Sequence, residues 1–173
     1  MRRVSVAGIS GSGKTTFARE LAARLGVPYV ELDALHHGPA WTEAAPEVFR
    51  ARLRDALAAA PDGWVCDGNY RSKGDDIVLA AADTLVWLEP PLRVSLRRLA
   101  VRTWSRYVAR QELWHGNRER LRNVGPLFSW AVRSHFRHRR QVPAAAAEYP
   151  HLHVVHLRSA AETDAFLRDG SLC

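Results

Sequence analysis

Short apolar runs alternate with stretches of helical periodicity along the chain, which has 173 residues. The apolar runs predict five β-strands, at residues 3–7, 30–32, 64–66, 84–88 and 152–157. Between and after them, apolar residues recur at helical spacing, at residues 14–25, 46–60, 92–110, about 126–147 and beyond Ser159. Strands that alternate with helices in this way form a parallel sheet with right-handed crossovers. The pattern therefore predicts an α/β fold with a single domain, residues 1–173.

The same spacing predicts the core face of two helices. In the helix over residues 92–110, this face contains Leu92, Leu96, Leu99, Ala100, Thr103 and Tyr107. In the helix that begins near Pro126, it contains Phe128, Ala131, Val132, His135 and Phe136. The run 84–88 is apolar almost throughout, which is typical of a strand buried on both faces.

A glycine-rich segment lies between the first predicted strand and the first predicted helix. Residues 8–15 read Gly-Ile-Ser-Gly-Ser-Gly-Lys-Thr and match G-x-x-x-x-G-K-[ST], the P-loop pattern. In this loop backbone N–H groups surround phosphate oxygens, the lysine bridges the β- and γ-phosphates, and the hydroxyl ligates Mg²⁺. We therefore predict a bound nucleotide and Mg²⁺ at this loop, with Lys14 also catalytic and Thr15 also a metal ligand. The candidate nucleotide-binding residues are Gly8, Ser10, Gly11, Ser12, Gly13, Lys14, Thr15 and Thr16.

Charge adds information about the partner. The formal net charge is +7 and the pI is about 10.2, which favours an anionic partner such as a nucleotide, a nucleic acid or another phosphorylated ligand. The two cysteines give neither a disulfide framework nor metal-ligand spacing, so Cys66 is predicted to be a small core residue. No apolar run reaches the length of a membrane span or of a signal-peptide core. We therefore expect a cytoplasmic protein, and the oligomeric state stays open.

Polar side chains follow the second and third predicted strands, at the sheet edge that holds the P-loop. Asp33 comes after strand two and either contacts the phosphate acceptor or caps a turn. Asp67 ends strand three, where a carboxylate holds a Mg²⁺-bound water, and Gly68 lets a ligand approach the backbone. Asp33 and Asp67 are thus catalytic candidates, with Asp67 also a metal candidate. The candidate substrate-binding residues are Asp33, Trp41, Gly68, Asn69, Tyr70 and Arg71.

Arginines dominate the segment after strand four. An i, i+4 row runs along one helix face, and residues 111–122 continue it as an Arg-rich loop with a glycine hinge. The row consists of Arg98, Arg102, Arg106 and Arg110. We expect an Arg-rich helical lid at about residues 106–124, with Arg106 and Arg110 on the nucleotide and Arg118 stabilising the transferred charge. The alternatives are a solvated basic face and a strip that tracks nucleic acid.

Further motifs occur along almost the whole chain. They are Leu32-Asp33-Ala34-Leu35 with Trp41, Asp67-Gly68-Asn69-Tyr70, Ala82-Asp83-Thr84, and Glu112-Leu113-Trp114 with Gly116-Asn117-Arg118-Glu119. With them, the chain resembles the bacterial P-loop kinases related to adenylate kinase, and more closely the group of topology modulation or adenylate-kinase-like proteins. The resemblance implies a P-loop NTPase three-layer sandwich with strand order 2-3-1-4-5, ATP·Mg²⁺ as donor, and a mobile lid that supplies arginines.

On the acceptor side, the chain resembles two kinase groups. Asp67-Gly68 with Arg71 resembles the Asp-Gly-Phe-Pro-Arg element of adenylate kinases, whose arginine holds the acceptor's phosphate, but Asn69-Tyr70 replaces Phe-Pro. Their Thr-Gly-Asp element is absent, and Asp33 instead resembles the aspartate with which shikimate- and gluconate-type kinases handle an acceptor hydroxyl. Without an Asn-Lys-x-Asp motif, a GTPase is not expected. We predict an ATP-dependent kinase for a nucleotide or a small hydroxylated metabolite, the alternative being an ATP-binding, nucleic-acid-associated or regulatory protein.

Overall fold

The structure, a computed structural model, describes residues 1–68, 73–117 and 124–168. Its sheet has five parallel strands in the order β2-β3-β1-β4-β5. The strands are β1 (Arg3–Gly8), β2 (Tyr29–Glu31), β3 (Trp64–Asp67), β4 (Thr84–Leu88) and β5 (His153–Leu157). This order confirms the predicted P-loop NTPase fold. Because β1 is central, the loop that leaves it lies at the point where the connections diverge to the two sides of the sheet.

Helices connect the strands within the described residues. They are α1 (Lys14–Leu25), α2 (Leu32–His36), α3 (Pro46–Ala58), α4 (Asp75–Ala81), α5 (Leu92–Val108), α6 (Val124–Glu148) and α7 (Ala160–Arg168). Two short 3-10 turns lie at Pro39–Trp41 and Trp114–Gly116. In the three described ranges, no helix combines the length and the apolar character that a membrane crossing requires.

Both faces of the sheet are covered, which explains the apolar strands. On one face, α3, α4 and α6 pack over a cluster that includes Phe49, Trp64 and the predicted core residue Cys66. On the other face, α1 and α7 pack over a cluster that includes Val6 and Leu21. Burial of apolar surface stabilises a fold by about 25 cal/mol per Å², so these two layers are the main favourable contribution. The three-layer arrangement therefore agrees with the prediction.

The chain after β2 differs from the predicted loop. β2 ends at Glu31, and Leu32–His36 forms α2, whereas the sequence predicted a strand up to Leu32 followed by a loop. The first and last residues of α2 are both buried. Since they are four positions apart, one helical turn places both side chains in the core. Asp33 consequently lies in the first turn of a helix rather than in a loop.

The buried face of α6 also differs from the prediction. Phe136, predicted to face inward, is 59 % exposed. The buried residues of this helix are Ala131, Ser134, His138, Val142 and Ala145. Because this face also contains a serine and a histidine, hydrophobic spacing correctly selected Ala131 but did not reveal Ser134 and His138. On α5, Leu99 and Thr103 are buried as predicted, but Tyr107 is exposed.

Candidate functional site

The P-loop joins β1 to α1 at the carboxyl edge of the sheet, as predicted. α1 begins at Lys14, and the preceding Gly13 has a φ of 99°, in the left-handed region. Within the described residues, no side chain caps this N-terminus. The first N–H groups of α1 therefore point into the loop, where they and the helix dipole favour an anion.

Close packing determines the shape of the loop. Gly11 has a φ of 83°, and a Cβ atom there would overlap the carbonyl oxygen of Ser95 on α5. A Cβ atom on Gly8 would lie 2.7 Å from the carbonyl oxygen of Leu88 on β4. The loop therefore lies directly against β4 and α5, and a larger side chain at Gly11 would separate it from α5.

Polar groups inside the loop fit a bound phosphate. The Lys14 Nζ atom donates to the carbonyl oxygen of Ile9 at 3.3 Å, which folds the ammonium group onto the loop. The buried Ser12 Oγ atom has no hydrogen-bond partner among the described residues. An unsatisfied buried hydroxyl costs about 1–3 kcal/mol, and a phosphate oxygen in the loop would satisfy it. The residues present therefore fit the phosphates of a nucleotide.

The arginine row of α5 begins at the P-loop. The Nη1 atom of Arg98 donates to the carbonyl oxygen of Ser12 at 3.5 Å. Arg106 is half-buried near the end of α5, and Arg110 is exposed just after it, with a φ of 46°. At 1.5 Å per residue, Arg106 lies about 12 Å further along the helix than Arg98. Arg98 is the member of the row that the structure places at the phosphate site, and contacts of Arg106 and Arg110 with a nucleotide stay predictions.

Asp67 lies beside the strand that carries the P-loop. It is the last residue of β3, only 2 % exposed, and its backbone pairs with Val6 of β1. The Tyr29 hydroxyl donates to Asp67 Oδ2 at 3.2 Å, and burial together with the Asp67 charge raises the pKa of Tyr29. In the described part of the chain, no three His, Cys, Asp or Glu side chains form a group able to hold a metal. Mg²⁺ commonly uses one or two carboxylates plus phosphate oxygens, so this finding is compatible with Asp67 and Thr15 as ligands.

Three candidate acceptor-side residues lie within the described ranges. Asp33 is half-buried, and its carbonyl oxygen accepts a hydrogen bond from the backbone N–H of His37 at 3.0 Å. Gly68 follows Asp67, and a Cβ atom there would lie 2.6 Å from the Cβ of Leu32. The third, Trp41, lies in a 3-10 turn. Asn69, Tyr70, Arg71 and Arg118 lie outside the described residues, and their roles stay predictions.

Trp41 takes part in a contact that the sequence did not predict. Its ring lies edge-on to Trp114, with 6.3 Å between centroids, and His37 contacts both rings. Asn117 Oδ1 accepts from the backbone N–H of Trp41 at 3.0 Å, and Asn117 Nδ2 donates to the carbonyl oxygen of Gly38 at 2.9 Å. We call His37, Trp41, Trp114 and Asn117 the clasp. The clasp joins the segment after β2 to the segment predicted as the lid.

A polar cluster braces the same acceptor-side segment. Lys73 Nζ donates to Glu43 Oε2 at 2.8 Å and lies 3.2 Å from His36 Nε2. Burial, and then the charge of Lys73, lower the pKa of His36, whose Nε2 atom also lies 3.4 Å from Glu43 Oε2. Lys73 therefore holds the chain before α4 to the segment that follows β2. The sequence alone gave little indication of this role of Lys73, because a single lysine in a turn is usually solvated.

A cavity of about 230 Å³ lies between the sheet, α4 and α6. Ser5, Ala7 and Leu85 line it from the sheet, while Ser134 and His138 line it from α6. Gly68 and Asp75 also border it, so it reaches the sheet edge where Asp67 and the P-loop lie. The sequence analysis missed this cavity because Ser134 and His138 are not among the predicted core residues of α6.

Comparison with known proteins adds a family match over part of the chain. Residues 4–66 match the family described as "ATPase family associated with various cellular activities (AAA)". The match includes the P-loop and covers a little over a third of the chain. A stretch of 60 residues is 40 % identical to a cytidylate kinase of Nitratidesulfovibrio vulgaris (strain DP4), covering 34 % of this chain and 26 % of that protein. The chain thus matches about a quarter of the length of this relative.

Solved structures match nearly the whole chain. A shikimate kinase from Bacteroides thetaiotaomicron has a TM-score of 0.59 at 16 % identity, covering 99 % of this chain and 97 % of that one. A gluconokinase from Sinorhizobium meliloti 1021 has a TM-score of 0.55 at 20 % identity, covering 97 % of this chain and 92 % of that one. At such identities the likeness concerns the fold. Sheet order, P-loop and these neighbours together define the chain as a protein with the P-loop NTPase fold.

Proposed function

We propose that the protein is an ATP-dependent kinase that transfers the γ-phosphoryl group of ATP to a nucleotide or a small hydroxylated metabolite. The observation that carries the proposal is a phosphate-binding loop next to a separate cavity of about 230 Å³. A kinase needs room for a second substrate, and a nucleotide-hydrolysing switch does not. The names of the relatives and neighbours, which are cytidylate kinase, shikimate kinase and gluconokinase, support the same reaction class.

On the donor side, the loop residues Gly8 to Thr16 would bind the phosphates of ATP through backbone N–H groups. Lys14 would exchange its hydrogen bond with Ile9 for the β- and γ-phosphate oxygens. We assign Thr15 and Asp67 to Mg²⁺, which when bound neutralises charge on the transferred phosphoryl group. Arg98, which already contacts the loop, adds a second cation to this site.

On the acceptor side, we propose that substrate binds between α2 and the cavity, which Gly68 at the end of β3 borders. Asp33, Trp41 and Gly68 border this region, and the predicted contacts of Asn69, Tyr70 and Arg71 belong to it. The lid, at about residues 106–124, would bring Arg118 over the transferred group. We also propose that the chain belongs to the adenylate-kinase-like group. The sequence motifs after β3 and in the lid segment support this assignment.

The replacement Lys14→Ala tests the proposal. We expect it to lower kcat for ADP release by roughly 10²–10³-fold, because it removes a cation aimed at charge that develops in the transition state. The measurement is a coupled assay of ADP release, screened over nucleoside monophosphates, nucleosides and hydroxylated metabolites. Circular dichroism and thermal unfolding verify that the variant keeps its fold.

The matched control is Arg54→Ala, which removes an exposed cation on α3. This variant should retain the ADP release of the unmodified protein. Full turnover in the Lys14→Ala variant would contradict the proposed kinase. So would a screen in which none of the acceptors supports ADP release by the unmodified protein.

A further inference from the structure

The cavity under α6 has a polar wall on a helix face that otherwise packs in the core. Ser134 and His138 are both more than nine-tenths buried, and both line the cavity. Apolar side chains such as Ala7, Leu79 and Leu85 line it together with the polar residues Ser5, Asp75, Arg137 and Gln141. A cavity that combines both kinds of side chain suits a small ligand with an apolar body and polar groups.

The geometry determines which nitrogen of His138 carries the proton. Nδ1 lies 2.7 Å from the carbonyl oxygen of Ser134, one turn earlier on α6. Because a carbonyl oxygen accepts and never donates, Nδ1 must carry the hydrogen. In the neutral ring, Nε2 is then the hydrogen-bond acceptor.

Burial and the surrounding cations both disfavour the charged form of this ring. Burial lowers the pKa of His138, and the cations Lys14 and Arg137 together with His135 lower it further, against the raising effect of the Ser134 carbonyl. Asp75 on α4 is the acidic residue that lines the same cavity. Gly68, which directly follows Asp67 at the end of β3, also lines the cavity, and Asp67 pairs with Val6 of β1, two residues before the P-loop begins. The cavity therefore reaches the sheet edge that holds the P-loop.

We propose that this cavity binds the phosphate acceptor and that His138 Nε2 accepts a hydrogen bond from an acceptor hydroxyl. This inference rests on the proposed kinase function and narrows its substrate class. A cavity of about 230 Å³ is smaller than the roughly 300–1,000 Å³ typical of pockets for drug-sized ligands, which favours a small acceptor. The acceptor is thus a small hydroxylated molecule, such as a sugar acid or cyclic polyol, rather than a whole nucleotide. His138 is a substrate-binding residue that determines specificity, and no proton transfer to it is required.

A direct test observes the ring of His138 by nitrogen-15 NMR in the full chain with ADP and Mg²⁺. Shikimate, gluconate and cytidine monophosphate serve as probes. We expect shikimate or gluconate to shift the Nε2 resonance in a saturable manner and cytidine monophosphate to leave it unchanged. A response to cytidine monophosphate alone, or to none of the three probes, would overturn the inference.

Two substitutions then separate binding from structure. His138→Asn keeps an amide donor for the Ser134 carbonyl but presents nothing to the cavity, whereas His138→Gln extends an amide oxygen toward the place of Nε2. For the probe that is phosphorylated, we expect His138→Asn to raise the acceptor KM roughly 10- to 100-fold with the KM for ATP unchanged. His138→Gln should restore most of the affinity.

The control is His153→Gln, which replaces an exposed histidine on β5. An unchanged acceptor KM in the His138→Asn variant would refute the role of His138. The proposed kinase function would still be supported if the unmodified protein releases ADP with that acceptor. Absence of ADP release with every acceptor would instead refute the proposed function. The two failures are therefore distinguishable.

Discussion

Asp83 is a single carboxylate that holds the start of the chain to the sheet. Its Oδ2 atom accepts hydrogen bonds from the backbone N–H groups of Arg2 and Arg3, at 2.7 and 2.9 Å, and Oδ1 accepts from the Thr84 hydroxyl at 2.7 Å. Burial alone raises the pKa of this carboxyl, but the donors from Arg3, Arg2 and Thr84 outweigh it and lower the pKa of Asp83. The Ala82-Asp83-Thr84 motif, read in the sequence as a mark of a kinase group, therefore has a structural role.

We expect Asp83→Asn to lower the free energy of unfolding at pH 7 by about 1–3 kcal/mol, because an amide leaves at least one of the three donors without an acceptor. A depressed pKa contributes stability above the unfolded-state value of about 3.9 and loses it as the pH falls through the folded-state value. The difference between the two proteins should therefore shrink below about pH 4. Urea unfolding followed by tryptophan fluorescence at neutral and acidic pH measures it.

The matched control for this carboxylate is Asp55→Asn, at an exposed position on α3. Its effect should stay within about 0.5 kcal/mol. A difference between Asp83→Asn and the unmodified protein that persists in full at acidic pH would show that the charge of Asp83 does not cause it.

Between elements, the clasp is the contact that joins the segment after β2 to the segment predicted as the lid. Asn117 is 5 % exposed, and its side chain satisfies a backbone donor at Trp41 and a backbone acceptor at Gly38. Both turns that meet here contain non-glycine residues with positive φ, Ala40 at 55° and His115 at 56°. Such conformations cost about 1–2 kcal/mol and persist where surrounding contacts hold them. The clasp supplies contacts of that kind.

We expect Asn117→Ala to release this contact, because it deletes both hydrogen bonds of the side chain. Leaving the groups at Trp41 and Gly38 unpaired costs about 1–3 kcal/mol locally, so exchange of the Trp41 amide hydrogen should accelerate roughly 5- to 100-fold. The acceptor KM should rise while ATP affinity stays constant. Hydrogen exchange and the coupled ADP assay measure the two effects.

Gln111→Ala is the control for the clasp, since Gln111 is an exposed residue of the same segment. It should leave both the amide exchange and the KM unchanged. If Asn117→Ala preserved the protection of the Trp41 amide, the clasp would not depend on the Asn117 side chain.

At the scale of the whole molecule, the charge of +7 favours an anion but does not select one. The structure places Arg98 at the P-loop, while Arg139 pairs with Glu89 and Arg50 with Asp76. The outer face of α5 is interrupted by the exposed apolar residues Val101, Trp104 and Val108. This face is unlike a continuous basic strip that follows a nucleic-acid backbone.

We therefore expect no shift of a short DNA duplex in a gel assay at an ionic strength of about 0.15 M. A protein that binds DNA through several phosphate contacts shows a steep loss of affinity with salt, so the assay is repeated from low salt upward. Bovine albumin and a basic, unrelated protein of similar charge serve as references. Retention of DNA at physiological salt, beyond that of the basic reference, would favour the nucleic-acid alternative over the kinase.

Much of the fold followed from the sequence because its causes are local. Alternating apolar runs and helical spacing indicated the strands, and β4 has the predicted bounds, Thr84 to Leu88. The prediction was wrong at α2 and at the buried face of α6. In both places burial in the tertiary structure outweighed the local pattern. On α2 the buried residues are Leu32 and His36, and on α6 they include Ser134 and His138.

The donor half of the site was determined by the sequence itself, since the P-loop is one contiguous segment whose backbone makes the phosphate cradle. The proposed acceptor half depends on the tertiary structure. Trp41 meets Asn117 across 76 positions, and the cavity combines Ser5 with His138. Such contacts depend on how α6 and the predicted lid segment pack, and side-chain packing between distant elements leaves no periodic signal in the chain.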